Sequence, residues 1–156
     1  MMSDDAGLTD FKHGIEFLRQ GKPAKATECF RHAIERKQQN PYYISFLGVS
    51  MARSQGQWGA AVELCKTAVS LKRNDVQLYL NLAEAYVSAG RRDIAVQTLD
   101  TASRHCGADK RITRMRGRLG KRRPPVLSFL ARTNFLNRGL GMLRHRLLLR
   151  VQPAAT

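Results

Sequence analysis

The chain has 156 residues, enough for one domain with a sizeable core, and its 43% hydrophobic content with only 12 glycines and 5 prolines excludes wholesale disorder. Its net charge of +15 is segregated: residues 1–109 hold 14 Lys/Arg and 12 Asp/Glu, whereas residues 110–156 hold 13 Lys/Arg and no acid. No apolar run approaches the roughly 18 residues needed to cross a bilayer. The acidic start MMSDDAGLTDF lacks the pattern of a secretory signal, and the three cysteines are odd in number and far apart, so the expectation is a soluble, cytoplasmic protein.

Helical hairpins follow in chain order. Residues 7–40 carry Gly14, Phe17, Gly21, Ala26, Phe30 and Ala33. Gly21-Lys22 is a hairpin turn rather than a phosphate loop, because Gly14 is too distant and Pro23 stands where a hydroxyl residue is needed. Asn40-Pro41, a cap followed by proline at the first helical position, opens a second unit over 41–75. That unit carries Leu47-Gly48, Gly56, Ala61 and Ala68, with Trp58 expected to pack on its own hairpin. Gly48 to Gly56 spans eight residues where the equivalent steps span seven, which predicts a bulge or a lengthened turn before Gly56. In the third unit, 76–109, Leu78, Leu82, Ala85, Tyr86 and Ala89 recur at helical spacing. Asn74 or Asp75 caps the start and Gly90 ends the helix. Its second helix buries Ile94, Ala95, Leu99 and Ala102 and stops at Gly107.

Across the units the triplet Gly21/Ala26/Ala33 returns as Gly56/Ala61/Ala68 and Gly90/Ala95/Ala102, a period of 35 and then 34 residues. This pattern resembles the tetratricopeptide repeat family over about residues 7–109, although Gln38, Arg73 and Gly107 replace the family's repeat-ending proline. The expected fold is all-α, a right-handed helical-hairpin solenoid of three such repeats, with a cap over 110–120 that buries Ile112, Met115 and Leu119. The resemblance implies that the first helix of each hairpin lines a groove. The candidates are Phe11, Ile15 and Arg19; Tyr42, Ser45, Val49 and Arg53; and Leu80, Asn81 and Glu84. Chaperone-binding members of the family clamp a C-terminal carboxylate with Lys, Asn and Arg. Phe11, Ile15, Ser45, Phe46 and Asn81 stand at the matching places, so that clamp is essentially missing. The expected function is a non-catalytic adaptor or scaffold that holds a peptide or helix of another protein.

Residues 121–156 form a basic extension in which Pro124-Pro125 enforces extended chain, and Leu136, Leu140, Leu143 and Leu147 give a short amphipathic helix over about 135–149. Its leucines could dock on the repeats. Alternatively Lys121, Arg122, Arg123, Arg138, Arg144, Arg146 and Arg150 could attract nucleic acid or an anionic membrane. The three-repeat layout with this ending also resembles short bacterial tetratricopeptide proteins. Catalytic motifs are not recognisable: Cys29 and His32 lack a second ligand pair for zinc, and no cofactor or small-molecule substrate is expected.

Overall fold

The computed structural model describes residues 2–54 and 56–120, with side chains from residue 6; the sequence-predicted helix over 135–149 lies outside them. By contacts the chain divides into two units, residues 1–120 and 121–156. The first is built from seven helices: α1 (Met2–Arg19), α2 (Pro23–Arg36), α3 (Pro41–Ser54), α4 (Trp58–Leu71), α5 (Val76–Ser88), α6 (Arg92–Cys106) and α7 (Lys110–Leu119). Among the described residues there is no strand, and no helix is long and apolar enough to cross a membrane.

Each helix begins and ends where its local chemistry dictates. Pro23 and Pro41 occupy first-turn positions, where their missing N–H has no intrahelical partner to lose. The Asn40 side chain accepts from the Tyr42 N–H at 2.9 Å, and the Asp75 carboxylate caps α5 by accepting from the Gln77 N–H at 3.0 Å. Gly21, Gly56 and Gly90 take φ of +70°, +63° and +73°, the left-handed conformation that turns each hairpin back on itself. The extra residue of the second repeat makes no bulge among the described residues. It lengthens the helix instead: α3 has 14 residues where α5 has 13, and each ends two residues before its hairpin glycine.

The helices pair as α1–α2, α3–α4 and α5–α6, and successive hairpins stack through α2 on α3 and α4 on α5. Close crossing is what the small residues permit. Ala26, Ala33, Ala61, Ala68, Ala95 and Ala102 are all completely buried. A Cβ added to Gly14 would lie 2.5 Å from the Phe30 ring, and one added to Gly48 would lie 2.7 Å from both the Ala61 carbonyl oxygen and the Cys65 sulfur. Larger side chains at these crossings would force the helices apart. Around them Phe30, Leu78, Leu99, Val49 and Tyr79 fill the interior. The amphipathic α7 buries Ile112, Met115 and Leu119 on the last hairpin, and Arg92 donates to the Leu119 carbonyl at its C-terminal end. Trp58, at the N-terminus of α4, is 48% exposed, and its ring lies beside the turn of its own hairpin, where a Cβ added to Gly56 would be 3.7 Å from it.

Candidate functional site

The first helices of the three hairpins lie side by side, with α1 on α3 and α3 on α5. A central helix flanked on both sides must pack at positions that an end helix leaves open. Ser45 is 0%, Val49 2% and Asn81 3% exposed, so these three predicted groove residues form the floor beneath the surface. Their polar groups are satisfied within the protein. The Asn81 amide donates to the Ser45 hydroxyl at 2.7 Å, Gln77 donates to the Asn81 side-chain oxygen at 2.9 Å, and the Cys65 thiol donates to the Ser45 carbonyl at 3.5 Å. Serine and asparagine thereby tie the second repeat to the third, which identifies them as stacking residues unavailable to a ligand.

Arg53 and Glu84 lie above this floor and pair with each other, the Arg53 Nε donating to the Glu84 carboxylate at 2.6 Å. Both remain partly accessible to solvent. Tyr42 sits at the start of α3 and belongs to a latch between repeats. Its hydroxyl donates to Asp75 and accepts from Lys72 at 2.7 Å, while the Lys72 ammonium lies 4.9 Å from the tyrosine ring centroid. Burial works to raise the Asp75 pKa, but hydrogen bonds from Tyr42, Lys72 and the Gln77 N–H outweigh it and hold the carboxyl below its usual range. The Lys72 pKa is raised by its bonds to Tyr42 and Asp75.

On α1, Phe11 is shared between surface and interior. Its ring packs on Phe30, Tyr43 and Phe46 with centroids 5.6, 4.8 and 5.5 Å away, and Ile15 leans on the same cluster. Arg19 is exposed and pairs with Glu16 at 3.4 Å. Leu80 is partly buried on the other flank. Two residues that the sequence reading passed over complete the surface: Leu8, 41% exposed, and Val87, 39% exposed. Leu8 lies three residues before Phe11 and seven before Ile15. Val87 lies three after Glu84 and seven after Leu80. Each therefore shares the helical face of its predicted neighbours, and this spacing was legible in the sequence.

Burial, with a smaller contribution from Glu84, pushes the Cys65 thiol up to about 12, so it stays protonated and inert at neutral pH. Among the described residues no group of three or more His, Cys, Asp or Glu is placed to hold a metal ion. Tyr79 and Tyr86 are buried as packing residues, and Tyr79 stacks on His105 with the rings 9° from parallel. Lys121, Arg122, Arg123, Arg138, Arg144, Arg146 and Arg150 lie outside the described residues.

Stacked antiparallel helix pairs with alanine crossings, a capping helix and an exposed face along the first helices define a helical-repeat protein. Two comparisons show what this chain is similar to. Residues 52–119 match the family model described as tetratricopeptide repeat. Solved tetratricopeptide domains superpose on the fold. The second such domain of human RPAP3, in complex with the HSP70 peptide SGPTIEEVD, is 18% identical, with TM-score 0.60 over 78% of this chain and 98% of that one. The TPR2B domain of yeast Sti1, in a complex with pHsp70, is 19% identical, with TM-score 0.63 over 79% and 100%. A thermophilic tetratricopeptide protein of Thermus thermophilus is 22% identical, with TM-score 0.64 over 73% and 64%. No curated protein matches the sequence. Residues 2–120 thus share the fold of solved tetratricopeptide domains, and residues 52–119 match that family's model.

Proposed function

We propose that the face formed by α1, α3 and α5 binds a peptide or helical segment of a partner protein, and that the chain acts as an adaptor rather than an enzyme. The observation that carries this reading is the pair of apolar side chains left partly in solvent on this face, Leu8 in the first half of α1 and Val87 near the end of α5. Between them lie Phe11, Ile15 and Leu80, each only partly buried, with Arg19, Arg53, Glu84 and Tyr42 supplying polar contacts. An apolar strip bordered by charged and hydroxyl groups suits an amphipathic segment, whose apolar side chains would dock while the rim fixes its orientation. The fold's likeness to domains solved with peptides supports the same reading.

The chemistry of the ligand differs from theirs. Phe11 and Ile15 occupy places where a carboxylate clamp needs cationic and amide groups, and Ser45 and Asn81 are bonded to each other below the surface. An acidic chain terminus would find no unpaired donor there, so the partner segment presents apolar side chains instead.

A peptide library screened against the full chain tests both statements. Selected binders should be enriched in apolar residues at helical spacing and should weaken at least tenfold when Leu8 and Val87 are both replaced by Asp. They should keep their affinity when Trp58 is replaced by Ala. The peptide SRMEEVD, seen bound to the first domain of RPAP3, should bind no better than its scrambled sequence. Binders indifferent to the Leu8/Val87 replacement would refute the assignment of this face.

A further inference from the structure

The geometry points to α7 as a binding surface for the phosphate backbone of nucleic acid, independent of the α1–α3–α5 face. Residues 90–120 hold eight Lys/Arg against three acids, whereas residues 1–89 are close to balance. Asp109 is engaged by Arg111 at 3.0 Å and Asp100 by Arg116. Arg111, Arg114 and Arg118 recur at three- and four-residue spacing on one side of α7, about 100° around the helix from its buried stripe, and all three are exposed. Seven residues at about 1.5 Å each set them along roughly 10 Å of one helix face.

The fold engages Arg111 through Asp109 but gives the side chains of Arg114 and Arg118 no partner among the described residues. Like charges at i and i+4, such as Arg114 and Arg118, repel by a few tenths of a kcal/mol. Lys110 and Arg111 stand at the end of the helix dipole that disfavours cations. What the row does match is a polyanion: a duplex presents one charge per about 1.7 Å of axis, and guanidinium groups bond phosphate oxygens in pairs. A bilayer fits less well. Ile112, Met115 and Leu119 are all buried against the last hairpin, and only Thr113 and Gly117 lie among the arginines on the outer surface. The helix therefore has no apolar side chain to insert between lipids, as interfacial helices require. The outer face carries no aromatic to stack on bases, so binding would be indifferent to sequence.

The test measures fluorescence anisotropy of a labelled 20-base-pair duplex with the full chain, between 50 and 200 mM salt. The basic extension stays in place, so differences between variants report α7 alone. Arg111→Gln/Arg114→Gln/Arg118→Gln should lower the slope of log K against log salt by about 2.7, from roughly 0.9 per phosphate contact; this removes about 40-fold of the salt sensitivity across that range. The triple Arg→Lys variant should retain the wild-type slope, and both variants should keep the wild-type far-ultraviolet circular dichroism and melting temperature. A Gln variant with the wild-type slope would overturn the proposal. So would equal losses in the Lys and Gln variants, or tighter binding to phosphatidylserine vesicles or poly-glutamate than to the duplex at the same salt.

Discussion

Replacing Gly48 by Ala should destabilise the protein, although the same change normally strengthens a helix. In an exposed helix interior, alanine is worth about 1 kcal/mol over glycine. At Gly48 the added methyl would lie 2.7 Å from the Ala61 carbonyl oxygen and from the Cys65 sulfur, and 3.4 Å from the Leu64 Cβ. The first obstacle is backbone in the middle of α4, so relief requires moving one helix away from the other rather than turning a side chain. Overpacking of this kind costs about 1–3 kcal/mol, and a backbone obstacle puts it near the upper end. Subtracting the propensity gain leaves a net loss of about 2 kcal/mol. For a domain of this size that corresponds to roughly 8 °C in melting temperature. Gly117 provides the internal control, because it is exposed on α7 and an added Cβ there meets nothing within 4 Å. Gly117→Ala should stabilise by about 0.5–1 kcal/mol. Urea unfolding followed by circular dichroism measures both, with the slope checked for constancy. If Gly48→Ala were as stable as the wild type, or moved in the same direction as Gly117→Ala, the close α3–α4 crossing would not be what requires a glycine.

Ser45→Ala should cost about 1–3 kcal/mol because it leaves the buried Asn81 amide without its acceptor, and a double-mutant cycle with Asn81→Ala should show less than additive loss. Arg53→Ala should cost under about 1 kcal/mol, since its pair with Glu84 is partly accessible to solvent, and any larger effect should appear in peptide affinity. The depressed pKa of Asp75 makes its carboxylate stabilising above the unfolded value of about 3.9, with the contribution lost as pH falls through the lower folded value. Thermal melts from pH 6 down to 2 should therefore be less pH-dependent in Asp75→Asn than in the wild type, and Tyr42→Phe should lie between; identical profiles would show that the latch does not bias the carboxyl.

How much of this was legible in the sequence depends on the range of each interaction. The alanine trios, the Asn40 and Asp75 caps, the hairpin glycines and the Ile112/Met115/Leu119 stripe are local or strictly periodic features, and the structure bears them out. The groove residues rest on the family resemblance, carried along single helices by register. Register tells which side of a helix a residue occupies, but not how closely the next helix approaches that side. Ser45 and Val49 share the register of Phe11 and Ile15, yet they are buried because α3 has a neighbour on each flank. The Tyr42–Lys72–Asp75 latch and the Arg53–Glu84 pair join residues about 30 positions apart, which no local pattern specifies.

Three hairpins are close to the minimum for a stable stack, and this minimum shapes where a ligand could be held. An array so short has one middle repeat, and its first helix must hold both neighbours together. Ser45, Val49 and the Asn81 opposite them serve that cohesion, so changing them would disturb folding and binding at once. The flanks on α1 and α5 bear no such duty: Leu8 and Val87 are 41% and 39% exposed, and their replacement by Asp disturbs less buried surface than a change in the floor. Binding and stability should therefore separate by position, with the flanks altering affinity at constant melting temperature and the floor altering both. A partner whose affinity tracked melting temperature at every position would be held by the fold's integrity as a whole, and the division between floor and flank would have no functional meaning.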